Sequence, residues 1–181
     1  MNRLSRGDTL ALAFIILVLG LLLFWPKSGP HGHSRKAAFL RTAKDLEQAL
    51  KSFHAEYKRF PDISDSGADF SGPTPPELIT ALIAVSGHEA TERLNPRDEQ
   101  YFSTKMAKKS GGFGVVKTPD GALQLQDWWG QPFHLFLDLN EDGKVRIPDQ
   151  KGRFQIVKRK VVVISSGPDR KIGTKDDIKS R

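Results

Sequence analysis

RKAAFLRTAKDLEQALKSFHAEYKR, residues 35–59, decides how the rest of the chain is read. Phe39, Ala43, Leu46, Leu50, Phe53 and Tyr57 recur at alternating steps of four and three, so the segment predicts a helix with one apolar stripe. Asp45, Glu47, Gln48 and Lys51 occupy its other faces, and Phe60-Pro61 ends it. The stripe has to dock on something. No second long amphipathic helix follows, so a sheet is the expected partner.

C-terminal to this helix lies a Ser/Gly/Asp/Pro-rich loop, residues 62–76, and then a shorter helix expected from Glu77 to about Ser86 and stopped by Gly87. Residues 88–112 are polar and irregular, with Tyr101-Phe102 as a buried anchor. The remainder predicts strands. Residues 113–117 and 122–126 flank the turn sequence Thr118-Pro119-Asp120-Gly121. In 133–139 (FHLFLDL), Phe133, Leu135 and Leu137 face one way and His134, Phe136 and Asp138 the other. FQIVKRKVVVIS, 154–165, is β-branched and reads as one long strand. Helices followed by short strands, without βαβ repeats, predict an α+β fold with an antiparallel sheet.

N-terminal to the helix, Thr9 to Pro26 carries no charge and is almost wholly apolar. As a helix it spans about 26 Å, at the short end for a bilayer core. Arg3 and Arg6 precede it; Trp25 and Lys27 follow it as interface residues. A cleaved signal peptide needs a small-x-small site, and Trp25-Pro26-Lys27-Ser28 is not one. The expected organisation is a basic segment 1–8, a membrane-spanning helix 9–26, a Pro/Gly linker 27–35 and a globular domain 36–181. On this reading residues 9–26 contact the lipid bilayer, and the chain is a single-pass inner-membrane protein with a periplasmic domain.

The 181 residues carry a net charge of +7. Residues 1–150 hold 18 basic and 18 acidic side chains, whereas 151–181 hold 10 and 3, so the whole excess is C-terminal. Lys158-Arg159-Lys160 comes without interleaved stacking aromatics, so no nucleic acid is expected as a partner. The chain has no cysteine, which excludes disulfides, thiolate metal sites and a cysteine nucleophile. His54, His88 and His134 are not grouped with a nucleophile and an orienting acid, so no enzyme is expected.

Two acidic loops could hold calcium, an ion that takes oxygen ligands from flexible loops. Asp138, Asn140, Asp142, Gly143 and Asp149 fall at relative positions 1, 3, 5, 6 and 12, the spacing of an EF-hand loop. Asn, Asp and Gly equally favour a plain turn between strands. The second loop, 165–178, is SSGPDRKIGTKDDI, with Asp169, Asp176 and Asp177 among hydroxyls and glycines.

An apolar N-terminal segment, LEQALKSFHAEYKRFP (46–61), WWGQPF (128–133) and SSGPDRKIGTKDDI (165–178) occur in an order that resembles the major pseudopilins of type II secretion, the protein G family, and related pilin-like proteins. The resemblance implies a long helix packed on a small antiparallel sheet and a structural calcium in the C-terminal loop. Asp169 and Asp176 match its ligands, with Asp177 and the Ser166 carbonyl beside them. It also implies other pseudopilin-like subunits or secretion machinery as partners. Gly7, Thr9 and Leu10 fit the family's processing site, whereas Asp8 replaces its aromatic residue and Leu12 its glutamate.

Overall fold

The computed structural model describes residues 31–64, 67–108 and 112–180. Helix α1, His31–Tyr57, starts four residues before the expected Arg35. Its stripe is buried as the spacing predicts: Phe39, Ala43, Leu46, Leu50 and Phe53 are all at most 1 % exposed. Phe39 meets Phe133 edge-to-face with ring centroids 4.9 Å apart, and Phe53 stacks on Tyr57.

After β1 (Phe70–Pro73), helix α2 runs Pro76–Ile83. It ends at Ala84, whose left-handed backbone closes the last turn before Gly87 is reached. The Thr80 hydroxyl accepts the Leu123 N–H at 2.7 Å, which locks α2 to β3 (Leu123–Gln126). A third helix, α3 (Glu89–Leu94), lies in the stretch expected to be irregular; the His88 ring accepts the Ala90 N–H at its start. Phe102 is buried as expected, its N–H bonded to the Leu82 carbonyl.

The described residues correct the expected fold. In place of a long helix on one small sheet, α1 is followed by eight short strands in three antiparallel sheets. One has four strands, in the order β1, β4 (His134–Leu137), β7 (Val161–Ser165), β8 (Ile178–Lys179). The others are two-stranded: β2 (Gly114–Lys117) with β3, and β5 (Val145–Pro148) with β6 (Phe154–Val157). The pilin-like architecture with an N-terminal transmembrane helix is therefore not what is seen. No helix of the described residues is long and apolar enough to cross a membrane, and the expected span 9–26 lies outside them.

The extra sheet arises because 154–165 is not one strand. The chain breaks at Lys158–Lys160, and Arg159 N–H closes a tight turn onto the Val157 carbonyl. That break lets β6 fold back on β5 while β7 enters the central sheet. The central sheet is then covered on both faces. Leu135, Leu137, Val161 and Val163 join the α1 stripe in the main core. Phe136, Val162 and Ile164, on the opposite face, pack on Val145 and Ile147 of the β5–β6 hairpin. Both sides of β4 and β7 are apolar for this reason.

Candidate functional site

The loop 165–178 leaves the central strand β7 and returns as β8. Its root is fixed from below. The Ser165 hydroxyl, fully buried, donates to Asp127 Oδ2 at 2.7 Å. The other oxygen of Asp127, also buried, accepts the N–H groups of Trp129 and Gln131 at 2.9 Å each. Asp127 therefore ties the Trp128-Trp129-Gly130-Gln131-Pro132 turn to the start of the loop. The local signal for it is an Asp opening an Asp-Trp-Trp-Gly turn.

Gly167 has φ +66°, and a Cβ placed on it would lie 2.5 Å from the Asp176 carbonyl oxygen. Only glycine lets the two ends of the loop approach this closely. Across that contact, Asp176 Oδ2 accepts the Asp169 N–H at 3.0 Å, and Asp176 Oδ1 accepts the Thr174 hydroxyl. These bonds, the Thr174 hydroxyl first, hold the Asp176 carboxyl below the usual carboxylate range. Asp169 Oδ1 accepts the Lys171 N–H at 2.8 Å.

Asp177 is different. Its Oδ2 accepts the Gly173 N–H at 2.9 Å, but its Oδ1 is buried without a hydrogen-bond partner. Burial pushes its pKa up against the opposing pull of the Gly173 N–H and Lys179. The Ser166 hydroxyl oxygen is likewise buried and unpartnered. The loop thus brings Asp169 and Asp176 together and offers two unsatisfied hard oxygens. Among the described residues, however, no three acidic or histidine side chains converge as a ready-made metal cage. The donor set is all oxygen, which suits calcium, and buried unpaired oxygens of this kind call for an explanation.

Asp177 also lines a groove of about 1080 Å³ between α1, the β5–β6 turn and β8. Lys36, Lys44, Lys151, Arg159 and Lys179 stand around it, with Leu40, Ile147 and Val162 among its apolar lining. Arg159 is already committed. It grips both Glu47 oxygens at 2.8 and 3.0 Å, and the Ser180 hydroxyl donates to Glu47 Oε1 at 2.6 Å. Glu47, expected on a polar face of the helix, is 5 % exposed and joins α1 to the β6–β7 turn and the C-terminal strand.

The other acidic loop is internally saturated. Asp138, fully buried, accepts the Asp142 and Gly143 N–H groups at 3.1 and 2.9 Å. Asn140 Oδ1 accepts the Asp142 N–H, and Asp142 Oδ1 the Lys144 N–H. Asp149 is not brought to them, since β5 runs between, about 13 Å of extended chain. It makes its own turn, accepting the Lys151 and Arg153 N–H groups and pairing with the Arg153 guanidinium. The EF-hand spacing here serves two separate turns.

The histidines whose side chains are described, His54, His88 and His134, are dispersed. His54 Nε2 lies 3.2 Å from Glu141 Oε1, His88 caps α3, and His134 sits half-buried in β4. The sequence matches no family model, no curated protein and no solved structure.

Proposed function

We propose that this chain is a non-enzymatic structural protein, held at a bilayer through residues 9–26, that serves as a component of a type II secretion or related envelope assembly. Its C-terminal loop is stabilised by calcium. The observation that carries the reading is the loop 165–178, with its glycine-only closure at Gly167 and the unpartnered oxygens of Asp177 and Ser166. Asp169 and Asp176 would hold the ion, with Asp177 and the Ser166 carbonyl completing a set that the described carboxylates do not form without it. Calcium there would offset the local charge of the carboxylates, of which Asp177 is partly desolvated. Ligand binding to the folded state alone raises stability by mass action. Calcium should therefore raise the melting temperature of the protein and chelator should lower it, with the difference abolished in Asp176→Asn/Asp177→Asn. A melt indifferent to calcium and chelator in the unsubstituted protein sinks the calcium assignment.

A second reading is a membrane-tethered recognition domain that does not build a filament. The three-sheet architecture and Leu12 favour it. The mass of the protein purified from membranes separates the two. A chain beginning at Asp8 marks pseudopilin-type processing, and one retaining Met1 or Asn2 marks the tethered domain.

A further inference from the structure

The β5–β6 hairpin has two unlike faces. Val145, Ile147 and Val157 point inward onto the central sheet. Outward, Phe154 and Ile156 are 63 % and 66 % exposed, so neither side chain is taken up by the core. Arg146 is their cross-strand neighbour, opposite Ile156 in the register, with its guanidinium 5.4 Å above the Phe154 ring. Lys144 and Lys158, both exposed, continue the same alternation just beyond the strand ends. From 144 to 160 there are seven basic residues and one acid, Asp149, which Arg153 already pairs. Asp69 lines a shallow cavity of about 270 Å³ beside Phe154 and Arg146, and Lys144 lies 3.9 Å from Asp142, so the patch is not free of negative charge. With Arg153 set against Asp149, Arg159 against Glu47 and Lys144 near Asp142, the cationic balance rests on Arg146, Lys151, Lys158 and Lys160.

We propose that this outer face docks on an anionic lipid surface, with Phe154 and Ile156 entering the headgroup region and Arg146, Lys144 and Lys158 contacting lipid phosphates. Two apolar side chains fall well short of the roughly 800 Å² per partner that a stable protein interface buries. A second copy docking through the same face would set cations against cations. A bilayer demands neither a large contact nor shape complementarity. It needs a small apolar wedge inside a basic rim, because anionic leaflets attract such segments and the interface accepts their apolar side chains. The proposal deepens the membrane reading above: the domain would be held against the bilayer as well as tethered to it.

The chain has no cysteine, so Ile156→Cys in the full-length protein gives a unique site for an environment-sensitive nitrobenzoxadiazole label. Phe154→Cys provides a second position, and Glu92→Cys on α3 a reference outside the hairpin. In vesicles of phosphatidylcholine with about one third phosphatidylglycerol, labels at 156 and 154 should shift to the blue and be quenched by doxyl lipids about fivefold more than in phosphatidylcholine alone. The label at 92 should not respond. Arg146→Glu/Lys158→Glu should remove most of the effect, as should high salt. A hairpin label that stays in water while the chain sediments with anionic vesicles overturns this proposal and leaves the tether standing. A chain that does not sediment at all overturns both. Equal quenching in neutral and anionic vesicles, or a blue shift without lipid that grows with protein concentration, also overturns it, the last in favour of self-association.

Discussion

At the residue scale, buried polar groups are where local pattern and real environment part company. Glu47 falls between the apolar positions of the α1 stripe, so periodicity places it in solvent; Arg159, 112 positions away, draws it inward. A buried carboxylate persists only when it is paired and hydrogen-bonded, and Glu47 has both a guanidinium and the Ser180 hydroxyl. Asp127 and Asp138 follow the same rule, with backbone N–H groups as donors. His134 gives this scale a measurable consequence. Burial holds its pKa below the ordinary histidine value of 6.5, against the pull of Asp127. The unfolded chain therefore takes up the proton first, and stability is at its full value above that pH and declines as pH falls below it. The melting temperature should drop between pH 7.5 and 5.5, and His134→Gln should flatten part of that drop. Parallel pH profiles for the two proteins would refute the assignment.

At the element scale, α1 was legible because its signal is repetitive. Six apolar positions agree on one face, and five of them are at most 1 % exposed. Leu46 is fully buried at the centre of that stripe. Leu46→Ala should destabilise the domain by about 3 kcal/mol, transfer loss plus cavity, measured by urea unfolding. A loss under about 1 kcal/mol would mean that the helix is not anchored through this stripe. The hairpin 114–126 was equally readable, since Thr118-Pro119-Asp120-Gly121 closes with Gly121 N–H on the Thr118 carbonyl. The long strand 154–165 was not. Its β-branched content is correct on both sides of Lys158–Lys160, and no local feature marks the fold-back. The Arg159–Glu47 pair and the Ser180 carbonyl that accepts from Arg159 are contacts made by distant segments.

At the scale of the domain, the central sheet is the part with apolar cover on both faces, whereas the β5–β6 hairpin is covered on one and meets solvent on the other. Local opening is easiest where few apolar contacts must be broken. Amide hydrogen exchange should therefore be slowest in β4 and β7 and faster in β5 and β6, with the loop 165–178 slowing when calcium is added. Equal protection across all three sheets would contradict this division.

The sequence by itself determined the stripe of α1, the alternation of β4, the β2–β3 turn and the oxygen-rich composition of the loop after β7. Each is written in neighbouring residues, because helical and extended periodicities and turn chemistry act over a few positions. Tertiary structure alone decided that three sheets form, that Glu47 is buried, and that Asp149 parts from Asp138. It also decided that Asp169 meets Asp176 across Gly167 and that Phe154 and Ile156 face outward. Those outcomes depend on which distant surfaces cover one another, and two strands of the same apolar composition do not reveal which of their faces will find a partner.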